Sequence, residues 1–446
     1  MAINKTLVVS MMLLQAVPLA KAETLSFASL WHRVKEVSPA QGAAHLRTQS
    51  AEASLSRAEN HWLPRAYVDA RAYRTNDPGA SLFGQLQQRR VEARDFAPDS
   101  LNHPEDRTYT RGALGLDLTL FEGGAKQAQS AMYRHIVAAE KFGTSQLEIE
   151  QYSQAGLAYG TIAASRKQKL KLIELGEQVS RLVKGYQLGQ KSNPVGYSGL
   201  LGMKSLAIRI SGLVVQLESS ERASYRALRE MGVENRNWTP QELDARSFTA
   251  RFFPETATTE KDPSHRSLAG AEGAKALDEV AKMERARYLP RIGAFAESYV
   301  FNGSRDTADG YTAGLYLQWN LFDPSDFGKY KVAKLNALAS EKMARAANQQ
   351  ESAELQVLLE TERALRSNLQ KLEESDKLLS EQTQVSSTLF RNGSIGPLQF
   401  VEILNRRTDL ISQQVEAELS LLRASTARVM KTNFDIPGNA ASEDGK

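Results

Sequence analysis

Cysteine is absent from all 446 residues. That excludes disulfides, thiolate metal sites and cysteine nucleophiles, and also the lipid-bearing cysteine that follows a bacterial lipoprotein leader. The six histidines stand apart at 32, 45, 61, 103, 135 and 265, with no HExxH, so no metal site is expected. No GxSxG, P-loop or dinucleotide fingerprint occurs, and Asp and Glu are spread too evenly for one pair to stand out as acid and base. The expectation is a protein that is not an enzyme and takes no cofactor. Charge of one sign is lacking as well: 56 basic against 52 acidic residues leave a net +4, without the basic stripe that nucleic acid requires. No stretch approaches eighteen uninterrupted apolar residues, which argues against membrane-spanning helices.

What is present begins with Lys5, an apolar run from Leu7 to Leu14 and the small-x-small triplet Ala20-Lys21-Ala22. These predict a secretory signal peptide over residues 1–22. The organising feature lies further on and occurs twice. In GALGLDLTLFEGG, Leu114, Leu116, Leu118 and Leu120 alternate with Gly115, Asp117 and Thr119. In GLYLQWNLFDPS, Leu315, Leu317, Trp319 and Leu321 alternate with Tyr316, Gln318 and Asn320. Each ends at a Phe, 121 and then 322, meets a turn, and passes into a long helical stretch. A single such segment fits an ordinary half-buried antiparallel strand; recurrence in the same phase suggests an internal duplication.

The first repeat is expected over 23–231, with short helices, strands near 63–74 and 109–121, a long helix over about 125–190 and a return helix over 195–231. An equatorial connector follows at 232–262. The second repeat, 263–431, has strands near 289–301 and 311–322, a helix over about 326–392 and a return over 398–430. Residues 432–446 read as a disordered tail. Leu63-Pro64-Arg65 is answered by Leu289-Pro290-Arg291, and Pro can open a strand without leaving a ladder bond unmade. The first copy is longer, and its excess sits in 75–107, which reads as a long loop facing solvent. Leu358, Leu365, Leu372 and Leu379 recur every seven residues, asking for a coiled-coil partner. Four strands cannot close a barrel around a lumen, so their apolar faces must meet lipid or another subunit.

In this order the Leu-Pro-Arg strand starts, the LDLTLFEGG and LQWNLFDPS joints, the long helices and the turns YQLGQKSNPVGYSGLL and RNGSIGPLQFVEIL resemble the TolC family of outer-membrane efflux proteins, over nearly the whole mature chain. The resemblance implies a mixed α and β membrane protein of the Gram-negative outer membrane, a homotrimer whose protomers each give four strands to a twelve-stranded β-barrel. The barrel continues as an α-helical coiled-coil tunnel into the periplasm. It implies a passive exit duct of a tripartite efflux or type I secretion system, with a periplasmic adaptor and an inner-membrane pump as partners. Leu114, Leu116, Leu118, Leu120, Leu315, Leu317, Trp319 and Leu321 would then face outer-membrane lipid, and Asp117, Thr119, Gln318 and Asn320 the lumen. Glu402 and Asn405 would form the periplasmic gate; a solvated surface carboxylate is the plainer reading of Glu402. Gly189, Pro194, Gly196, Gly393, Gly396 and Pro397 would be the adaptor-docking turns, although they also serve as plain helix stops. A structural or adhesive coiled-coil protein of the envelope is the alternative, and it gives no reason for the strands.

Overall fold

The computed structural model describes residues 23–186, 191–233, 238–242, 244–255 and 263–437. The expected signal peptide, Gly189, most of the expected disordered tail and parts of the connector lie outside them. Two compact units each draw on both halves of the chain. One comprises Ala40–Leu147 and Pro263–Ser352, the other Met1–Pro39, Glu148–Asp262 and Ala353–Lys446.

The first unit holds a four-stranded antiparallel sheet in the order β2-β3-β5-β6, from β2 (Arg65–Thr75), β3 (Arg107–Glu122), β5 (Arg291–Asn302) and β6 (Thr307–Gln318). Register is set by alternation. Val68 pairs with Leu114, and Leu114 in turn with Ser298, so one face collects the even-numbered residues of β2, β3 and β5. A bulge between Thr119 and Phe121 shifts the parity at the end of β3. Strand β6 stops at Gln318, short of the expected 322, because its partner begins at Arg291, just after Pro290; Trp319–Phe322 have no ladder to join.

The span 75–107 corrects the sequence reading. It carries α3 (Pro78–Gln87) and α4 (Pro98–Asn102), with a 3-10 turn at Ala93–Phe96 between them. The prolines that read as loop punctuation occupy first helical positions, where the missing N–H costs nothing. Asp77 caps α3 by accepting from the Ala80 amide at 2.7 Å.

Helices dominate the second unit. α5 (Ala125–Gly185) and α9 (Lys329–Arg391) have 61 and 63 residues, roughly 90 Å each at ~1.5 Å per residue, and contribute to both units. They are answered by α6 (Pro194–Glu230) and α10 (Pro397–Val429). Of the described helices, α6 alone is long and apolar enough by composition to cross a membrane. It carries Lys204 and Arg209 and buries Met203, Leu206, Ile210 and Leu217 with residues of α5 and α10, so packing accounts for its apolar side.

At one end of the unit, α1 (Phe27–Val37), α7 (Ala245–Phe252) and a two-stranded pairing of β1 (Glu23–Leu25) with β4 (Trp238–Pro240) enclose an aromatic core. The Phe27 ring lies 5.0–5.3 Å from those of Tyr152, Phe248 and Phe252. Gly156 lets Phe253 lie against α5: a β-carbon there would sit 2.3 Å from that ring. Phe434 and Ile436 join this core. The expected disordered tail therefore starts too early, since two apolar side chains repay the ordering of 432–437.

Ion pairs tie the helices together. The run Arg166-Lys167-Gln168-Lys169 with Lys171 on α5 sends Arg166 and Lys169 to Glu221 of α6 at 2.6 and 2.9 Å. Lys167 reaches Glu418 of α10 at 3.0 Å, and Lys171 reaches Asp376 of α9 at 2.7 Å. The predicted leucine seam is displaced. Leu358, Leu365, Leu372 and Leu379 are half-buried, while Leu355, Leu359, Glu362, Leu369 and Thr383 form the buried line. Counting apolar residues misses Glu362, which is buried because Arg428 of α10 meets it at 2.7 Å.

Candidate functional site: strand faces and helix-end turns

The sheet has one face without formal charge over most of its height. Val68, Leu114, Leu116, Val300, Leu315 and Leu317 lie on it, all exposed, and Leu315 is 76 % exposed. Such a surface is costly in water. Of the other residues predicted for this face, Leu120 is exposed and Leu118 half-buried, while Trp319 and Leu321, both exposed, lie past the end of β6. A set of exposed aromatics gathers where the strands end: Trp62, Phe121, Tyr288, Trp319, Phe322 and Phe327. The Trp319 indole donates to the Tyr288 carbonyl at 3.2 Å. This girdle went unremarked in the sequence, although its spacing around both joints could have revealed it.

The opposite face is polar. Asp117 and Thr119 lie on it half-buried, and Thr119 accepts from Arg291 at 3.0 Å. Gln318 is the last paired residue of β6, opposite Arg291, and Asn320 lies beyond the ladder. The same face carries Asp69, Arg71, Arg111 and Glu297, with Asp69 held 2.9 Å from Arg71 and Arg111 paired to Glu297.

Helix α3 packs on this polar face. An added β-carbon on Gly84 would fall 2.6 Å from the Tyr109 ring, whose hydroxyl donates to the Ser81 carbonyl at 3.2 Å. Arg305, between β5 and β6, grips Asp95 with two bonds of 2.6 Å. These bonds hold the Asp95 carboxyl down at about 2, well below the usual carboxylate range. Gln88 accepts from the Arg305 and Asp306 amides at 2.8 and 3.1 Å. The insertion is thus latched to the β5–β6 turn.

The helix-end turns are built by recognisable stops. After α9 the Gly393 amide donates to Phe390 at 3.1 Å and the Ser394 amide to Leu389 at 2.8 Å, a Schellman closure with Gly393 at φ +75°. Gly396 precedes Pro397, the first residue of α10. On the other turn, Asn193 caps α6 by accepting from Gly196 at 3.1 Å, with Pro194 at the first helical position. The rings of Phe390 and Phe400 stack at 5.0 Å, and those of Tyr186 and Phe390 at 6.0 Å.

On α10, Val401 and Leu404 are buried while Glu402 is exposed and Asn405 half-buried, so the two predicted gate residues share the side away from the core. Glu402 is not a lone carboxylate: Arg406, one turn on, donates to it at 3.0 Å. The glycines at the matching positions of α6 have a packing reason. A β-carbon on Gly199 would lie 2.4 Å from Pro397, and one on Gly202 3.3 Å from Val401, so α6 passes the first turns of α10 at close range. Among the described residues no group of His, Asp and Glu could hold a metal ion.

No protein-family model matches the sequence, and comparison with curated proteins finds no match. Solved structures do match. The chain is similar to CusC, described in terms of folding and transmembrane channel formation, at 11 % identity and a TM-score of 0.75, covering 92 % of each chain. It is similar to the outer-membrane channel OprN at 15 % identity and a TM-score of 0.72, covering 91 % of this chain and 90 % of that one. For the open state of the Neisseria gonorrhoeae MtrE outer membrane channel the values are 13 %, 0.71, 91 % and 88 %. The fold of this chain is that of TolC-like outer-membrane channels.

Proposed function

We propose that the protein is an outer-membrane channel-tunnel, the passive exit duct of an efflux or type I secretion system. The observation that carries this is an open four-stranded sheet with an exposed apolar face, uncharged over most of its height, and two outer strands, β2 and β6, each with one edge left unpaired among the described residues. In hydrocarbon every backbone group must be paired, so the edges must meet other copies and close. Strands of 11 to 16 residues suffice for a tilted span of the bilayer. The girdle of Trp62, Tyr288 and Trp319 suits one lipid–water interface.

Three copies would give twelve strands, and the long helices would continue as a tunnel into the periplasm, with the polar sheet face lining the bore. Glu402 and Asn405 would then ring the periplasmic end. The turns at Pro194, Gly196, Gly393, Gly396 and Pro397 would meet a periplasmic adaptor, coupled to an inner-membrane pump. Partition and mass test the reading. The protein should extract with outer-membrane lipid only in detergent, run as a trimer and conduct in planar bilayers; a monomer in the soluble periplasmic fraction overturns it.

A further inference from the structure

The polar face of the sheet is more specific than a water-filled bore requires. Its cations are all arginine, at 65, 71, 107, 111 and 291, against the acids Asp69, Asp117, Glu122 and Glu297. Counting gives one excess positive charge per copy, but exposure decides what a solute meets. The Arg71 side chain is 68 % exposed against 29 % for its partner Asp69. Asp69 is shared with Arg111, 3.8 Å away, and Glu297 is engaged by Arg111 and by the Tyr67 hydroxyl at 3.1 Å. Arg65 is exposed and forms no ion pair among the described residues. Asp69 and Glu297 are recessed and committed, Arg111 is recessed between them, and Arg65 and Arg71 are the guanidinium groups that reach outward.

Aromatic rings floor this surface. Tyr67 covers Gly115, where a β-carbon would lie 2.2 Å from the ring; Tyr316 covers Gly293 and Tyr299 covers Gly310 in the same way, at 2.3 and 2.6 Å. Only glycine leaves room for a ring to lie flat on the neighbouring strand. Arg111 then sits over Tyr299, 5.1 Å from its centroid. Arg111 is thus kept on the two carboxylates, while an exposed guanidinium such as that of Arg65 or Arg71 presents a forked set of donors matched to planar or tetrahedral oxyanions.

We propose that this face is an anion-recognising belt in which the exposed Arg65 and Arg71 favour the passage of organic anions bearing carboxylate or sulfonate groups, with Arg111 offsetting the recessed Asp69 and Glu297. The inference rests on the duct reading, which makes this face the bore, where closure of the barrel repeats the belt in every copy and a walled channel concentrates the field. The test uses trimers in planar bilayers, with 1,5-naphthalenedisulfonate added on the barrel side. Concentration-dependent block of the chloride current is expected. Arg65→Gln and Arg71→Gln should each weaken it by about threefold or more, and Arg65→Lys should restore part of it. Arg74→Gln removes the same charge from the opposite face of β2, so its block should match the parent's. Conducting trimers whose block is unaltered by both bore substitutions, or altered equally by Arg74→Gln, overturn the belt alone. Preparations that form no conducting trimers overturn the duct reading and the belt with it.

Discussion

At the residue scale, two arginines on α10 have opposite standing. Arg428 is fully buried, donating to Glu362 at 2.7 Å and to the Phe253 carbonyl at 2.6 Å, while Ser425 and Arg366 complete the Glu362 carboxylate. Burial alone would raise the Glu362 pKa, but Arg428, Arg366 and Ser425 together outweigh it and the carboxyl is held below its ordinary value. Truncating Arg428 to Ala leaves the buried Glu362 carboxylate with Arg366 as its remaining ion-pair partner and should cost up to about 3–5 kcal/mol, seen as a fall in the thermal midpoint. Replacing Arg428 and Glu362 together by leucine should cost much less, and equal losses would show that the pair is not coupled. Arg406 is exposed, and its bond to Glu402 contributes only a few tenths of a kcal/mol to stability. Its consequence is electrostatic, because it sets off the acid proposed for the gate. Glu402→Gln should lower cation selectivity of single channels and Arg406→Gln should raise it; shifts of the same sign would remove the pair from the permeation path.

At the scale of elements, most of what the sequence made legible was periodic. Strict alternation placed Leu114 and Leu116 opposite Asp117 without reference to any partner, since the period of a strand is a local property. Pattern could not resolve elements whose reason is non-local. The span 75–107 has no clear period, yet α3 forms because Tyr109 and the β5–β6 turn offer it a seat. The buried line of α9 includes Glu362 and Thr383, which no hydropathy pattern selects. The latch between Asp95 and Arg305 tests the insertion. Because the folded-state value of Asp95 is depressed, the latch stabilises fully above the ordinary carboxylate pKa and is lost as pH falls from about 4 through about 2. Amides of α3 and α4 should therefore keep their hydrogen-exchange protection at pH 5. Asp95→Asn should reduce that protection at neutral pH, and protection equal to the parent's would show that Gln88 and packing suffice.

For the whole molecule, the decisive question is how the open edges of the sheet close. β2 and β6 are different strands, so an edge-to-edge contact joins unlike surfaces, and repetition of a head-to-tail contact gives either a ring or an open array. The right-handed twist of strands favours closure, and four strands per copy make twelve in a ring of three. The helices bear on the same closure: Leu201, Ile208 and Val215 form an exposed line on α6 at seven-residue spacing, and Leu378 and Val385 do so on α9, a pattern suited to helix neighbours beyond the single chain. Because the chain has no cysteine, closure can be counted chemically. Val68→Cys on β2, combined in turn with cysteine at Tyr311, Ala313 or Leu315 on β6, places both thiols on the apolar face. One of these pairs should bring β-carbons within disulfide reach across the edge. Oxidation in detergent should then yield linked species of one, two and three chains and no more. A ladder that continues to four, or ends at two, contradicts a ring of three, and the absence of any link for every pair in protein that conducts would show that β2 and β6 of neighbouring copies do not meet.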